Sequence, residues 1–447
     1  MRARRHLSIV GAGLAGPLLA ILLARRGFAV TLYERRGDPR NSTPEAGRSI
    51  NLALAARGMR TLEHAGLMQR VRPLLITMRG RMVHELGRPA CLLPYGQREE
   101  EVIYSVGRAA LNHLLIEEAA RHSGVTLRFD HSCGGADLAR DALLLRDLRA
   151  NRAYEVPLAP TIATDGAGSP VRISLADQGA TRASEELLDH DYKELTLPAI
   201  DGRHALDANA LHIWPRRGFM LIALPNTDGS FTATLFLPRA GPASFASLGS
   251  ERSVRELFAR EFPDVMPLMP GLLEEFRTHP QGHLGTVHAQ PWHVGGRALL
   301  LGDAAHAIVP FHGQGMNAAF EDCLELDALL ETHASWEALF AAFEAQRRPS
   351  TAAIAQMAIE NYEEMRERVL DPRFLRQKSW ALELERRFPE RFIPRYSMVM
   401  FHPEISYAEA LRRGTVQQEI LDELEARAGG SQTLDAERAR ELVAMRL

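Results

Sequence analysis

A glycine loop set between a strand and a helix constrains this chain more than any other feature. His6–Val10 is a short apolar, β-prone run, and Gly11-Ala12-Gly13-Leu14-Ala15-Gly16 follows it at once. Leu14 to Arg26 then reads as a buried helix that stops at Gly27, and Phe28–Tyr33 reads as a second strand ending at Glu34. The pattern predicts a βαβ unit at the start of the chain. In such a unit Gly11 permits the tight turn, Gly13 lets the backbone approach a pyrophosphate, and Gly16 permits close helix–strand packing. Leu14 and Ala15 open the helix, whose first N–H groups are unpaired and attract phosphate charge. Glu34, 18 positions past Gly16, is placed to accept hydrogen bonds from an adenosine ribose, with Arg35 beside it. A dinucleotide site is expected; the loop alone does not say which dinucleotide.

The bulk of the chain narrows the partners. With 447 residues, two or three packed domains are expected. Lys plus Arg (53) and Asp plus Glu (56) nearly cancel, which speaks against a protein built to neutralise a nucleic-acid backbone and for small-molecule partners. Cys91, Cys133 and Cys323 lie far apart with no CxxC spacing, so no structural metal site is expected and each reads as a small buried apolar residue. The basic start MRARR leads into an apolar run broken by glycines, which reads as an arm before the first strand rather than a signal peptide. No stretch approaches a membrane-spanning length of apolar residues. A cytoplasmic protein without a membrane anchor is expected.

Further along, Leu54–Ala65 has helical spacing, Val102–Val106 reads as a strand, Arg108–His122 as a helix with Gly124 as its C-cap, and Val125–Asp130 as another strand. Between about 185 and 275 the pattern becomes antiparallel. Leu211–Trp214, Phe219–Leu224 and Ser230–Leu237 are β-prone, and Asn226-Thr227-Asp228-Gly229 has hairpin-turn chemistry. Residues 298–302 return to a buried strand, and beyond about 335 the pattern is almost entirely helical. The order predicts an α/β fold: a Rossmann-like dinucleotide-binding domain over 1–180 and 276–335, an inserted antiparallel β-sheet substrate domain over 181–275, and a C-terminal helical region over 336–447.

Two more segments bear on the dinucleotide. One is Thr164-Asp165-Gly166-Ala167-Gly168-Ser169-Pro170; the other runs from Leu301-Gly302-Asp303-Ala304-Ala305-His306 to Gly313-Gln314-Gly315-Met316-Asn317. The second is a buried strand that delivers a carboxylate at its C-terminal end, then a glycine-rich turn, then a helix opening near Met316. Asp303 is suited to hold a polyhydroxyl chain such as ribityl, and the helix N-terminus at Gly315–Asn317 to stabilise negative charge on a reduced isoalloxazine. NAD needs neither element. Asp165 and Asp303 as plain helix caps are the structural alternative. With the glycine loop, these segments resemble the three-part signature of the flavoprotein hydroxylases, in that family's order. The resemblance implies bound FAD, a transient NADPH that reduces it, and O2, which adds to the flavin to give a C4a-hydroperoxide that transfers oxygen to an electron-rich aromatic ring.

A closer resemblance covers about residues 6 to 410. The runs Gly47-Arg48-Ser49-Ile50-Asn51-Leu52-Ala53-Leu54, Met78-Arg79-Gly80-Arg81-Met82-Val83-His84, Pro94-Tyr95-Gly96, Pro310-Phe311-His312-Gly313, Asn361-Tyr362-Glu363-Glu364-Met365-Arg366 and Pro394-Arg395-Tyr396-Ser397-Met398-Val399 are similar to the kynurenine 3-monooxygenase family. That resemblance implies hydroxylation of L-kynurenine to 3-hydroxykynurenine, with the substrate carboxylate held by Arg81, Tyr95, Asn361 and Tyr396. It also implies flavin contacts at Ala53 and Arg108, and Phe311 and His312 near flavin and substrate, with His312 shaping the site or its proton network.

Asn361 falls on an apolar helical stripe with Ile354, Met357, Ala358 and Met365, so it needs a polar partner, or else bonds a neighbouring backbone group. Arg81 in its arginine-rich stretch reads as an exposed surface residue, Arg108 as an ordinary surface charge, and Tyr95 and Tyr396 as core aromatics. A hydroxylase of another aromatic acid would keep the FAD signature without needing the set of four. A non-catalytic binding protein on the same fold is the alternative from another class.

Overall fold

The computed structural model of the chain describes residues 6–41, 51–158, 160–368, 371–429, 431 and 433–447. Of the run that begins at Gly47, residues Gly47 to Ile50 lie outside the described residues. The chain divides into two compact units. One comprises Met1–Leu75, Val106–Leu188 and His283–Thr351, the other Ile76–Ser105, Asp189–Gly282 and Ala352–Leu447. The sequence reading drew the boundaries elsewhere, keeping 76–105 with the nucleotide-binding part and setting 336–447 apart as a third region. Strand pairing explains the difference. Gly80–Val83 pairs in parallel with Leu211–Pro215 and antiparallel with Cys91–Pro94, which carries 76–105 into the second unit's sheet.

In the first unit His6–Val10 is central. It pairs in parallel with Ala29–Tyr33 on one side and Thr161–Ala163 on the other; Val125–Arg128 adds beyond the first, and Ala298–Leu300 and the short His293–Val294 beyond the second. Leu7, Ile9, Leu32, Ile162, Leu299 and Leu300 have no exposed surface, as expected of parallel strands buried on both faces. The helix Ala15–Arg25 buries Leu18, Leu19, Ile21, Leu22 and Leu23, each such side chain contributing about 1.5–3 kcal/mol on transfer from water. The register sets Val10, Ala163 and Leu300 level on three neighbouring parallel strands. The glycine loop, the Asp165 turn and the Asp303 turn therefore all emerge from the same end of one sheet, the end at which open α/β sheets bind ligands.

Two expectations are corrected by the structure, and one sheet is additional to them. The helix Arg108–Arg121 ends with His122 extended, and Gly124 is not its left-handed cap. Gly124 is required by close approach instead, since a Cβ there would lie 2.8 Å from the Phe28 carbonyl. Cys91 is exposed rather than buried, because Cys91–Pro94 is the outer strand of its sheet. An antiparallel sheet of His131–Asp137, Ala142–Asp147 and Arg152–Pro157 was not anticipated; its turns pass through Asp141 and Asn151 at φ of 50° and 47°.

In the second unit Phe231–Pro238, Met220–Pro225, Leu211–Pro215, Gly80–Val83 and Cys91–Pro94 follow one another across the sheet. Trp214, Leu221, Phe231, Leu235 and Leu237 pack under the helix Glu251–Glu261 through Val254, Leu257 and Phe258. A second cluster joins the helices Pro372–Arg387, Tyr407–Ala428 and Ala436–Arg446 through Trp380, Leu384, Ile420, Leu424 and Leu442. Among the described residues no helix is long and apolar enough to cross a membrane.

Candidate active site

The glycine loop is shaped by the strands beside it. Gly11 sits at φ +99°, and a Cβ there would meet the Thr164 carbonyl oxygen at 2.6 Å. Thr164 Oγ1 donates to the Val10 and Gly11 carbonyls at 3.0 and 2.9 Å, stitching the loop to the turn that carries Asp165. Gly13 is different: a Cβ there would meet nothing within 4 Å, so no neighbour in the protein demands the glycine. Leu14 caps the helix without a side-chain hydrogen bond, which leaves the first-turn N–H groups, with Ala15 and Gly16, uncapped by side chains. An open face beside an uncapped eleven-residue helix suits a pyrophosphate. Glu34 is buried and accepts from the Ala12 N–H at 2.8 Å and from Arg36 at 2.9 Å. Burial works to raise its pKa, but the hydrogen bonds from Arg36 and Ala12 outweigh it and hold the carboxyl below its ordinary value. A carboxylate has about four acceptor sites, so capacity remains for a ribose. Arg35 is exposed and makes no side-chain bond among the described residues.

The second and third motifs carry groups the protein itself does not satisfy. Asp165 Oδ1 is buried without a hydrogen-bond partner, and burial pushes the carboxyl up to about 6. Asp303 opens the short helix Asp303–His306 after Gly302 at φ +62°, and its exposed carboxylate has no partner among the described residues. Gly302 N–H and His306 Nε2 both meet Asp322 Oδ2, at 3.1 and 2.6 Å, while Arg347 Nε donates to the other oxygen at 2.7 Å. This fully buried network fixes the Asp303 turn. Burial works against the Asp322 charge, but His306 and Arg347 outweigh it and hold the carboxyl at about 2. The sequence reading missed Asp322, His306 and Arg347 as a set; the charged pair Glu321-Asp322 inside an apolar helix was the available signal.

The helix Gly315–Leu329 also begins without a side-chain cap, and Gly315 is open where a Cβ would project. Met316 is buried. Asn317 is fully buried, and its side chain is committed: Nδ2 donates to the Ala53 and Gly313 carbonyls, and Oδ1 accepts from Ala55 N–H at 3.0 Å. It thus clamps the Ala53 strand end to the Gly313 turn, leaving its backbone rather than its amide to face a ligand. Phe311 and His312 lie buried in the turn Pro310–His312 just before it. Arg108, first residue of its helix, is exposed with no side-chain partner among the described residues. A cation at that helix end opposes the macrodipole, so it is poorly placed for stability and well placed for an anionic ligand. One turn on, Asn112 Nδ2 donates to the Ala12 and Gly13 carbonyls at 2.9 and 2.7 Å, a buttress the sequence reading did not identify. Among the described residues, the unsatisfied Asp165 Oδ1, the unpaired Asp303, Arg35 and Arg108, and two uncapped helix starts fit a flavin adenine dinucleotide.

The second unit gathers the four residues assigned to a carboxylate. Arg81 on Gly80–Val83 is buried, not exposed. Its Nη2 donates to Asn361 Oδ1 at 3.3 Å and its Nη1 to Glu364 Oε1 at 3.2 Å. The guanidinium carbon lies 5.1 Å from the Tyr396 ring centroid and 6.0 Å from that of Tyr95. The two phenol rings stack at 5.5 Å and 13°. Burial opposes the Arg81 charge, but Tyr396, Glu364 and Tyr95 outweigh it and the guanidinium stays protonated. Burial pushes the Tyr95 hydroxyl up to about 12 and Tyr396 well above its ordinary value, so both remain O–H donors at neutral pH. Asn361 lies on the buried stripe with Met357, Ala358 and Met365, and Arg81 is the polar partner that stripe required. Arg395 Nη1 bonds Glu360 Oε2 at 2.6 Å, tying the Tyr396 helix to the Asn361 helix. Two further charged groups were not anticipated: Glu364, and Lys378, which burial and Arg81 push down to about 8 against the pull of Glu364.

The parallel sheet with its three motifs defines an FAD-dependent aromatic monooxygenase of the flavoprotein hydroxylase fold. The family described as FAD binding domain matches residues 5–358. The chain is 50% identical over 420 residues to a kynurenine 3-monooxygenase of Stenotrophomonas maltophilia, spanning 94% of this chain and 92% of that protein, and 49% identical over 426 residues to one of Xanthomonas campestris, spanning 95% and 92%. It belongs to the kynurenine 3-monooxygenase family. Among solved structures, 2-methyl-3-hydroxypyridine-5-carboxylic acid oxygenase superposes with a TM-score of 0.64 at 22% identity, covering 83% of this chain and 95% of that one. PqsL of Pseudomonas aeruginosa, a probable FAD-dependent monooxygenase, gives 0.62 at 20%, covering 81% and 97%. At those identities the likeness concerns the fold.

Proposed function

We propose that the protein hydroxylates L-kynurenine to 3-hydroxykynurenine, consuming NADPH and O2 on a bound FAD. The observation that carries this reading is the buried set Arg81, Asn361, Tyr95 and Tyr396: a protonated guanidinium flanked by an amide and two phenols that remain hydroxylated. Such a set binds a carboxylate through charge-assisted hydrogen bonds, with stacked rings to exclude water.

Gly11, Gly13, the helix start at Leu14–Gly16, Glu34, Arg35, Ala53, Arg108, Asp165, Asp303 and the Gly315–Asn317 helix start would hold FAD. When bound, the flavin supplies the redox and oxygen chemistry. The protein's part is to orient the substrate by its carboxylate and keep water from the reacting ring. The aniline nitrogen of kynurenine already donates electron density to its ring, so no side chain need remove a phenolic proton. His312 and Phe311 accordingly shape the site.

The test uses the purified holoenzyme. Its visible spectrum should show bound flavin, and NADPH oxidation should rise with L-kynurenine and give a product heavier by one oxygen atom. Flavin absorbance with no response to L-kynurenine would overturn the substrate assignment.

A further inference from the structure

Glu364 is the feature of the carboxylate receptor that a simple acid would not need. A buried guanidinium set to receive an anion gains nothing from a neighbouring carboxylate that competes for it. Yet Glu364 Oε1 stands 3.2 Å from Arg81 Nη1, with the Arg81 side chain 8% exposed and the Glu364 side chain 28% exposed. The contact is a single long bond, at the upper limit of N–H···O distances, and the Asn361 bond at 3.3 Å is longer still. Elsewhere in this chain arginines grip carboxylates in two-point forks, as Arg26 does Asp327 at 2.5 and 2.8 Å. Arg81 and Glu364 are neighbours without being locked together.

The local backbone accounts for the placement. Asn361 ends the helical stripe, and the π-helical turn Glu364–Arg368 begins three residues later. Residues three apart share a helix face, so Asn361 and Glu364 both address Arg81. Wide turns of this kind concentrate at functional sites.

We propose that Arg81 and Glu364 together read the zwitterionic head of an α-amino acid, with Arg81 taking the carboxylate and Glu364 the α-ammonium. The proposal rests on the carboxylate reading of Arg81 given above and extends it to a second pole. Bond lengths put the ammonium nitrogen of an α-amino acid about 3 Å from its nearer carboxylate oxygen. The protein's own pair has a matching spacing of 3.2 Å with reversed charge. Lys378 adds a further positive charge near both groups. With Glu364 the group carries one net positive charge rather than two, and the Arg81–Glu364 pair offers a positive and a negative pole to the two poles of a zwitterion. Glu364 is thus a specificity residue that favours amino acids over plain aromatic acids.

The test compares two ligands on the FAD-loaded enzyme by calorimetry and by perturbation of the flavin spectrum: L-kynurenine, and 4-(2-aminophenyl)-4-oxobutanoate, which lacks the α-amino group. The wild type should prefer L-kynurenine at least tenfold. Glu364→Gln, of the same shape, should lose L-kynurenine affinity tenfold or more while binding the deaminated acid as well or better, and Glu364→Asp should keep part of the preference. If Glu364→Gln weakens both ligands equally, Glu364 merely holds Arg81 and the proposal fails. An unchanged preference in that variant also overturns it. A wild type that binds neither ligand would remove the carboxylate reading itself, and this proposal with it.

Discussion

The Arg81 guanidinium donates to the Asn361 amide at 3.3 Å across 280 residues of sequence. Neither residue is conspicuous alone. Arg81 sits on a short strand in an arginine-rich stretch, and Asn361 on the apolar face of a long helix. Together they form a buried polar pair, each giving the other the partner that burial demands.

Replacing Arg81 by Ala should weaken L-kynurenine binding by about 2–5 kcal/mol, the range for deleting one side of a buried charge pair. Flavin content should stay the same. Calorimetric titration of the FAD-loaded variant checks the affinity and its visible absorbance the flavin content, and an unchanged affinity would remove Arg81 from the site.

The two glycines of the loop should respond in opposite ways. Gly11→Ala forces a Cβ against the Thr164 carbonyl at φ +99° and should lower the melting temperature of the apoprotein. Gly13→Ala adds a Cβ that meets no neighbour within 4 Å, so apoprotein stability should hold for it and for the bulkier Gly13→Val while FAD affinity falls by roughly tenfold or more. Equal FAD binding by Gly13→Val and wild type would mean that the loop does not approach a pyrophosphate.

Asp322→Asn removes the charge that His306, Arg347 and the Gly302 N–H share. Breaking a buried pair of this kind costs about 3–5 kcal/mol, which thermal unfolding would register. The Asp303 turn should loosen with it, so FAD retention on gel filtration should fall as well.

Stability should depend on pH through His212. Burial, reinforced by His84, pushes its pKa from 6.5 down to about 4, against the opposing bond to the Asp207 carbonyl. Between those values the unfolded chain binds a proton that the folded chain does not. Stability therefore falls as pH drops from 6.5 toward 4 and is fully recovered above 6.5. His212→Asn should flatten the melting-temperature profile in that window relative to wild type.

His312→Ala should still hydroxylate, with a lower ratio of product to NADPH consumed. Loss of all hydroxylation with substrate binding and flavin reduction intact would instead make His312 an obligatory proton donor or acceptor.

Local, contiguous features were legible in advance. The glycine loop, the strand His6–Val10 and the return of 298–300 to the first sheet follow from runs a few residues long, because turn chemistry and burial period are written locally. Asn361 was legible as a polar break in an apolar stripe. The hairpin Gly80–Val83 and Cys91–Pro94 was not, since four-residue strands of mixed polarity carry little periodicity. Asn112 and Asp322 gave weak signals because their partners are backbone groups or distant charges.

The sequence by itself determined which chemical groups the chain has to offer and which turns present them: the three motifs, and the side chains of Arg81, Tyr95, Asn361 and Tyr396 that the family resemblance singles out. Tertiary structure decided their environment. It buried Arg81 and so took its charge out of solvent. It spent the Asn317 amide on the backbone, left Asp165 Oδ1 unsatisfied, and brought Glu364 and Lys378 to the same guanidinium. Desolvation and long-range charge depend on what surrounds a group in space, and no local window of sequence contains that information.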